Sequence, residues 1–218
     1  MRLHRGGRWR AWLGGRFGGD AALGDRIWRR CLHLLGGFVL VYYLVPPGFF
    51  AGIPKPLVLL AALAAVLALE VLRHLAGLEL PTLRPYEVGR VASFAFFATG
   101  LVLAVLLFPE PVAAAVALGT AIVDPLIGEL RLRRTRSPAD PLLPLAVYSA
   151  LAFVAFRGLG GWSIISAGLL AAVAAVLGLL AERPRWRFYD DDLFMTIVPG
   201  GVLAILLALA PSLPSLGT

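Results

Sequence analysis

Cysteine, charge and the signatures of soluble catalysis are scarce in this 218-residue chain. The single cysteine, Cys31, excludes an internal disulfide, and the three histidines form no Cys-His zinc pattern. The chain has no Gly-x-x-x-x-Gly-Lys-Ser/Thr phosphate loop, so any nucleotide would bind without a soluble nucleotide-binding fold. Internal repeats and coiled-coil heptads are also missing, which gives a transporter built from repeats little support.

Apolar sequence is what the chain has in abundance, since 59% of its residues are hydrophobic and 15% are charged. Several apolar runs approach the roughly 17 to 25 residues that a helix needs to cross the hydrocarbon of a bilayer. The sequence therefore predicts an all-α fold, a polytopic membrane helix bundle with about seven transmembrane helices. The predicted spans are 32–46 (or a longer helix from about Asp25), 56–74, 91–108, 112–128, 141–157, 162–181 and 193–210.

Positive charge dominates the chain, with a formal net charge of +7. The basic residues are not interleaved with exposed aromatic residues on a soluble face, so nucleic acid is not a predicted partner. All lysines and arginines except Lys55 and Arg157 fall on one side of the predicted spans. This bias predicts a multi-pass membrane protein with that side, including the N-terminus, in the cytoplasm. Residues 1–25 would form a flexible basic tail on anionic membrane lipid, and residues 26–218 the transmembrane domain.

Asp124 stands at the end of an otherwise apolar run. An aspartate at the centre of a membrane helix costs about 2.5 to 3.5 kcal/mol, whereas each Leu, Ile or Val returns only about 0.3 to 0.6 kcal/mol. This helix therefore needs a polar interior made by other helices, a bound cation, or both. Pro125 predicts a kink or break beside Asp124, because proline cannot donate to the carbonyl four residues earlier and clashes with it.

Gly128 and Arg131 follow this predicted break and would line a bay open to the cytoplasm. Irregular backbone at membrane depth is tolerated where it lines a cavity, so a triphosphate and its cation could reach Asp124. Arg131 is a candidate phosphate ligand, with topological anchoring as the alternative. Anchoring is the preferred interpretation for the arginines that follow, Arg133, Arg134 and Arg136.

The acidic residues gather near the predicted cytoplasmic face. All of them except Glu110 lie on that face or within about two helical turns of it. Glu182 precedes the run Asp190, Asp191 and Asp192. Three adjacent aspartates repel one another unless Mg²⁺ or arginine neutralises them, which predicts a metal or phosphate-transfer site. Capping of a helix N-terminus is the alternative, and it is preferred for Asp190 alone.

Two pairs on the predicted helices complete the polar set. Arg29 and His33 are four residues apart and share one face, so they could hold an anionic group; a hydrogen-bonded packing role is the alternative for His33. Glu70 and Arg73 share a face in the same way. Gly100 and its small polar neighbours in the third span are assigned to close helix packing.

Four stretches, in this order, resemble the membrane-embedded CTP-dependent lipid-alcohol kinases: dolichol kinase, phytol kinase and the CTP-using diacylglycerol kinase, related to phosphatidate cytidylyltransferase. They are Arg29-Arg30-Cys31-Leu32-His33 with Gly36-Gly37, Glu70-Val71-Leu72-Arg73, Asp124-Pro125-Leu126-Ile127-Gly128-Glu129-Leu130-Arg131, and Glu182 with Asp190-Asp191-Asp192-Leu193 through Pro199. They are similar to the family's Arg-Lys-x-x-His, Glu-x-x-Arg, Gly-Asp-x-x-Ala-x-x-x-Gly-Arg and Asp-Asn-Leu-x-x-Pro elements. The chain departs at Val123, where the family usually has glycine, at Asp192, which replaces asparagine, and at 136–140, where the family's Lys-Ser/Thr-x-Glu-Gly segment is missing.

The resemblance implies a kinase that uses CTP and Mg²⁺ to phosphorylate the hydroxyl of a polyprenol- or dolichol-type isoprenoid alcohol at the cytoplasmic face. The implied catalytic residues are Asp124 and Asp191. The implied phosphate-binding residues are Arg29, His33, Arg73, Gly128 and Arg131, and the implied Mg²⁺ ligands are Asp124, Glu129, Glu182, Asp190, Asp191 and Asp192. A phosphatidate cytidylyltransferase-like enzyme and a non-catalytic membrane binding or transport protein are the alternatives.

Overall fold

The computed structural model describes residues 21–78, 83, 87, 89–132, 140, 142–182 and 190–215. Every regular element in these ranges is helical, so the predicted all-α fold is confirmed for them. The helices are α1 (Ala21–Gly36), α2 (Val41–Leu44), α3 (Lys55–Ala76), α4 (Ser93–Leu107), α5 (Glu110–Leu118), α6 (Asp124–Leu132), α7 (Leu142–Gly158), α8 (Ile164–Ala181) and α9 (Asp191–Leu209). Residues 1–20 of the predicted tail, and Arg133, Arg134 and Arg136, lie outside the described residues.

Within the described ranges, four helical runs are long and apolar enough to cross a membrane: Lys55–Ala76, Glu110–Leu132, Ile164–Ala181 and Asp191–Leu209. The apolar helices α4 and α7 are shorter, with 15 and 17 residues. These helices are compatible with a membrane protein, whereas the number of spans and their orientation stay predictions. The first helix begins at Ala21, so the predicted span 32–46 starts too late and the alternative long start is nearer to the structure.

The run Glu110–Leu132 lies at the centre of the bundle. Its residues 112–117 are completely buried and are all alanine or valine. Helices α4, α7 and α9 pack against this segment, because small side chains let helix backbones approach closely. In contrast, α3 packs mainly on α4 and leaves most of its leucines exposed. The polar end of the central run is therefore surrounded by the ends of several other helices.

The central run passes Pro125 without a break. Residues Gly119–Val123 form a π-helical turn between α5 and α6, and the helix continues from Asp124. A π turn holds one extra residue and widens the backbone, which accommodates a proline that lacks an N–H and crowds the carbonyl of Ala121. The kink or break predicted beside Asp124 is thus a π turn that immediately precedes it.

Glycines create room for large side chains at the helix interfaces. A Cβ added to Gly119 would lie 2.2 Å from the Tyr148 ring, and one added to Gly178 would lie 2.6 Å from it. Tyr148 of α7 is consequently held between the central run and α8. Gly100 of α4 faces Thr196 of α9, with only 3.3 Å between an added Cβ and the threonine side chain. The close packing predicted for Gly100 is found at this α4–α9 contact.

Candidate active site

Helices α1, α6 and α9 bring His33, Asp124 and Asp192 together. Nδ1 of His33 lies 3.7 Å from Oδ2 of Asp124, and Nε2 of His33 lies 3.8 Å from Oδ2 of Asp192. His33 is 6% exposed and Asp192 2% exposed, while the side chain of Asp124 is 16% exposed. One ligand atom from each of the three residues lies within 4.8 Å of the other two, a spacing that could hold a metal ion.

Asp124 also belongs to a group made of carboxylates alone. Ligand atoms of Asp124, Glu182 and Asp191 lie within 4.8 Å of one another, as do those of Asp190, Asp191 and Asp192. Glu182 directly follows α8 and the three aspartates begin α9, so distant parts of the chain supply these oxygens. Mg²⁺ prefers hard carboxylate oxygens, and Oδ1 of buried Asp192 has no hydrogen-bond partner among the described residues. The donor set therefore fits Mg²⁺.

Asp190 differs from its two neighbours because it is the N-cap of α9. Its Oδ1 accepts a hydrogen bond from the Asp192 N–H at 3.2 Å, which is the capping role considered from the sequence. Its Oδ2 accepts from the Ser93 hydroxyl at 2.6 Å, and the same hydroxyl contacts Oε1 of Glu87. These contacts fasten the start of α4 to the start of α9, so Asp190 positions the acidic end of α9.

Two buried threonines support Asp192 from the apolar side. Thr196 Oγ1 donates to the Asp192 carbonyl at 3.0 Å and lies 3.0 Å from Thr120 Oγ1. Thr120 belongs to the π turn and donates to the Val116 carbonyl at 2.9 Å. The first turn of α9 is thereby tied to the central run just below the carboxylates.

Arg131 lies at the rim of the carboxylate group. Its Nη2 lies 2.6 Å from Oε1 and 2.8 Å from Oε2 of Glu182, and the Arg131 side chain is 48% exposed. Arg131 can therefore neutralise Glu182 and still present its guanidinium to a ligand outside the protein. Glu129 does not occur in the ligand groups formed by the described residues, and it forms an ion pair with Arg30 of α1 instead.

Arg73 lies in a buried cluster at the junction of α3 and α4. Its Nε and Nη2 each lie 2.7 Å from a carboxylate oxygen of Glu70, and Nη2 also donates to the Arg90 carbonyl at 2.7 Å. Oε1 of Glu70 accepts from the Ala92 N–H at 2.8 Å. A bidentate pair with these backbone contacts fixes where α4 begins relative to α3. The guanidinium of Arg73 is thus engaged by Glu70 and by the Arg90 carbonyl.

The two remaining predicted phosphate ligands border the site in different ways. Gly128 is exposed, and a Cβ added there would meet nothing within 4 Å. Packing within the described chain therefore does not require glycine at this position, whereas close approach of a ligand to the backbone would. Arg29 is partly buried and lies one helical turn before His33 on α1.

Sequence reasoning assigned His33 to an anionic ligand or to packing and did not place it between two aspartates. It also assigned Ser93 to helix packing and gave no role to Glu87 or Thr196. No local pattern could reveal that His33 lies between Asp124 and Asp192, that Ser93 contacts Asp190 or that Thr196 lies beside Thr120, because these contacts join helices far apart in the sequence. The only indication of these contacts in the sequence was the concentration of polar residues near one predicted membrane face.

The part of the bundle just described, named here the acidic pocket, is a cluster of buried and partly buried acidic side chains from helix ends. No family model, no curated protein and no solved structure matches this chain. The function proposed below consequently stands on the geometry and chemistry of the pocket together with the sequence resemblance.

Proposed function

We propose that this chain is a multi-pass membrane phosphotransferase. It transfers the terminal phosphoryl group of CTP to the hydroxyl of a polyprenol- or dolichol-type lipid alcohol. The observation that carries this proposal is the convergence of Asp124, Glu182 and Asp191 beside the exposed guanidinium of Arg131. Phosphoryl transfer requires charge neutralisation and positioning rather than covalent chemistry by the protein. A cluster of metal-binding acids next to an arginine supplies both.

The side chains of the acidic pocket have different roles in this reaction. Asp124, Glu182 and Asp191 would hold Mg²⁺, which when bound supplies positive charge against the phosphate oxygens. Asp124 or Asp191 accepts the proton of the lipid hydroxyl as that oxygen attacks the γ-phosphorus of CTP, the bond from this phosphorus to the β–γ bridging oxygen breaks, and CDP leaves. Arg131 and Arg29 contact the phosphate oxygens, and the open backbone at Gly128 lets the phosphates come close. Arg73 and Glu129, each engaged in its own ion pair, are assigned to structure.

The apolar outer surface of the bundle supports an acceptor that is dissolved in the membrane. Exposed leucines cover α3, for example Leu60, Leu67 and Leu75, and apolar surface of this extent is typical of contact with lipid or with another protein. The charge bias of the sequence predicts that the acidic pocket lies at the cytoplasmic face, where nucleotide is available. An isoprenoid alcohol would then reach the pocket from the bilayer and CTP from the water.

The decisive assay uses purified full-length protein in lipid nanodiscs with Mg²⁺, polyprenol and CTP labelled at the γ-phosphate. We expect labelled lipid phosphate, and a loss of about 10²-fold or more in Asp124→Asn because charge stabilisation of this kind is worth that much. Glu110→Gln is the matched control, since Glu110 is exposed at the opposite end of the same helical run. Failure to label lipid with CTP, ATP, GTP or UTP would reject the proposal.

Labels at other positions separate the two alternatives. Transfer of the α-phosphate with its cytidine into a lipid product identifies a cytidylyltransferase. Nucleotide-dependent thermal stabilisation that is lost in Asp124→Asn, without any lipid product, identifies a non-catalytic binding protein.

A further inference from the structure

We propose that His33, Asp124 and Asp192 form a binding site for a divalent transition-metal ion. This site adjoins the all-carboxylate group through the shared residue Asp124. Its existence does not depend on the proposed phosphoryl transfer, because it rests on the contacts of His33 and on the burial of Asp192. The ligand class is a divalent cation that accepts nitrogen as well as oxygen donors, such as Mn²⁺ or Zn²⁺.

The separations around the His33 ring are the first support. The His33 ring lies between the two aspartates, with Nδ1 3.7 Å from Oδ2 of Asp124 and Nε2 3.8 Å from Oδ2 of Asp192. An ion binds one nitrogen of the ring, and one ligand atom from each of the three residues lies within 4.8 Å of the other two. A metal with bonds of about 2.0 to 2.2 Å holds its ligand atoms about 3 to 4 Å apart. Movements of about 1 Å would therefore bring one ring nitrogen and one oxygen of each aspartate to this spacing.

The environment of Asp192 is the second support. Its carboxylate is 2% exposed, and Oδ1 has no hydrogen-bond partner within the described part of the chain. Asp190, Asp191 and Asp124 are close enough to share metal-ligand groups with it. A buried carboxylate is stable when it is paired, fully hydrogen-bonded or bound to a metal. One imidazolium could balance only one of these charges, whereas a divalent ion balances two.

The chain also holds the donor groups in place before any ion binds. The His33 ring packs on Phe97 with centroids 4.5 Å apart, and Gly36 leaves the space that the Phe97 ring occupies. Thr196 holds the backbone of Asp192 through its carbonyl. Contacts of this kind around the ligands orient them and strengthen metal binding.

The single nitrogen donor makes the site selective. Mg²⁺ binds oxygen ligands almost exclusively and keeps much of its water, whereas Mn²⁺ and Zn²⁺ bind imidazole readily. The pocket would then offer two neighbouring environments that share Asp124. The all-carboxylate group suits Mg²⁺, and the buried group with His33 suits a transition metal.

Mn²⁺ is the probe for the test, because its electron paramagnetic resonance reports both the bound fraction and the ligand atoms. The full chain in detergent, stripped of metal, is titrated with Mn²⁺ in the wild-type, His33→Gln and His74→Gln forms. His74 is exposed at the end of α3 and is the matched control. We expect saturable binding whose Kd rises at least about tenfold in His33→Gln, the scale expected on weakening a metal's ligand set, and stays unchanged in His74→Gln.

A spectroscopic readout keeps the test valid if His33→Gln folds poorly. Electron spin echo envelope modulation of wild-type protein should show coupling of bound Mn²⁺ to an imidazole ¹⁴N. Absence of that coupling, absence of saturable binding, or an unchanged Kd in folded His33→Gln would overturn the proposed metal site. Lipid labelling without nitrogen coupling would leave the phosphotransferase intact and reject the metal site. Nitrogen coupling without lipid labelling would support the metal site and reject the phosphotransferase.

Discussion

At the scale of single residues, the carboxylate of Asp192 lies where a negative charge is energetically unfavourable. It is buried among other acids, and one of its oxygens has no hydrogen-bond partner within the described chain. Proteins tolerate such groups where function requires them and compensate elsewhere. Here the neighbouring His33 ring can compensate the carboxylate, whereas Thr196 holds the backbone carbonyl of Asp192.

Removal of this charge should stabilise the metal-free protein. Asp192→Asn keeps the shape of the side chain and ends its repulsion by neighbouring carboxylates, so we expect the free energy of unfolding to rise by about 0.5 to 2 kcal/mol. Thermal unfolding in detergent with a chelator measures it. Asp191→Asn, at a partly exposed position, should change stability less. A clear loss of stability in Asp192→Asn would mean that the charge is already compensated within the chain.

Gly128 allows stability and ligand binding to be separated. Gly128→Ala should raise helix stability by about 0.5 to 1 kcal/mol, since alanine is the better helix former and its Cβ meets open space. The same methyl group would obstruct phosphates at the backbone, so the stabilisation caused by added CTP should fall. Gly201→Ala in α9, where the added Cβ also meets open space, should raise stability without weakening the stabilisation by CTP. Equal CTP stabilisation in both variants would remove Gly128 from the site.

The contacts of an individual residue could be predicted from the sequence only where physical chemistry allows few kinds of partner. An aspartate in an apolar helix needs polar partners, so it could be predicted that Asp124 belongs to a polar site between helices. The Glu70–Arg73 pair could also be predicted, because residues three apart share a helix face. The partners of Arg131 and Arg30 could not, because each lies on another part of the chain and depends on tertiary packing. The resemblance implied that Arg73 and Glu129 belong to a ligand site, whereas both form ion pairs within the bundle.

At the scale of helices, close contact through glycine decides how α7 and α8 pack. Gly178→Ala should lower the free energy of unfolding by about 1 to 3 kcal/mol, because the added Cβ would lie 2.6 Å from the buried Tyr148 ring. Gly168→Ala, in the same helix with no atom within 4 Å of the added Cβ, should be neutral or stabilising. Thermal unfolding of the two variants side by side measures the difference. Equal stability would show that the α7–α8 interface yields easily.

The Arg73–Glu70 pair offers a second prediction for helix packing. Arg73→Met would leave the Glu70 carboxylate buried without its counter-charge, and we expect a loss of about 3 to 5 kcal/mol. The double variant Arg73→Met with Glu70→Leu should recover much of that loss and retain CTP binding. Nucleotide-induced thermal shifts measure both quantities. If the double variant is stable but no longer binds CTP, Arg73 belongs to the phosphate site after all.

At the scale of the whole molecule, several polar contacts between helices lie at the acidic end of the bundle. Arg30–Glu129 joins α1 to α6, Arg131–Glu182 joins α6 to the end of α8, and Ser93–Asp190 joins α4 to α9. The sequence placed these residues at one membrane face through the distribution of charge. It could not give their pairing, which depends on how the helices are arranged around the central run.

The predicted orientation in the membrane can be measured with single cysteines. In a Cys31→Ser background, His74→Cys should react with a membrane-impermeant thiol reagent only after the membrane is opened, because the charge bias puts that end of α3 in the cytoplasm. Glu110→Cys, at the opposite end of the bundle, should react in intact cells. Both side chains are exposed in the structure. The reverse labelling pattern would invert the proposed topology and place the acidic pocket outside the cell.

The π turn at Gly119–Val123 sets the angular phase of the central run. An α-helix advances about 100° per residue, so one extra residue in this turn rotates everything beyond it by that amount relative to α5. Ordinary α-helical winding of the same residues would swing Asp124 about 100° around the helix axis, away from His33 and Asp191. The acidic centre therefore depends on this wider turn of the backbone as well as on the acids of the sequence.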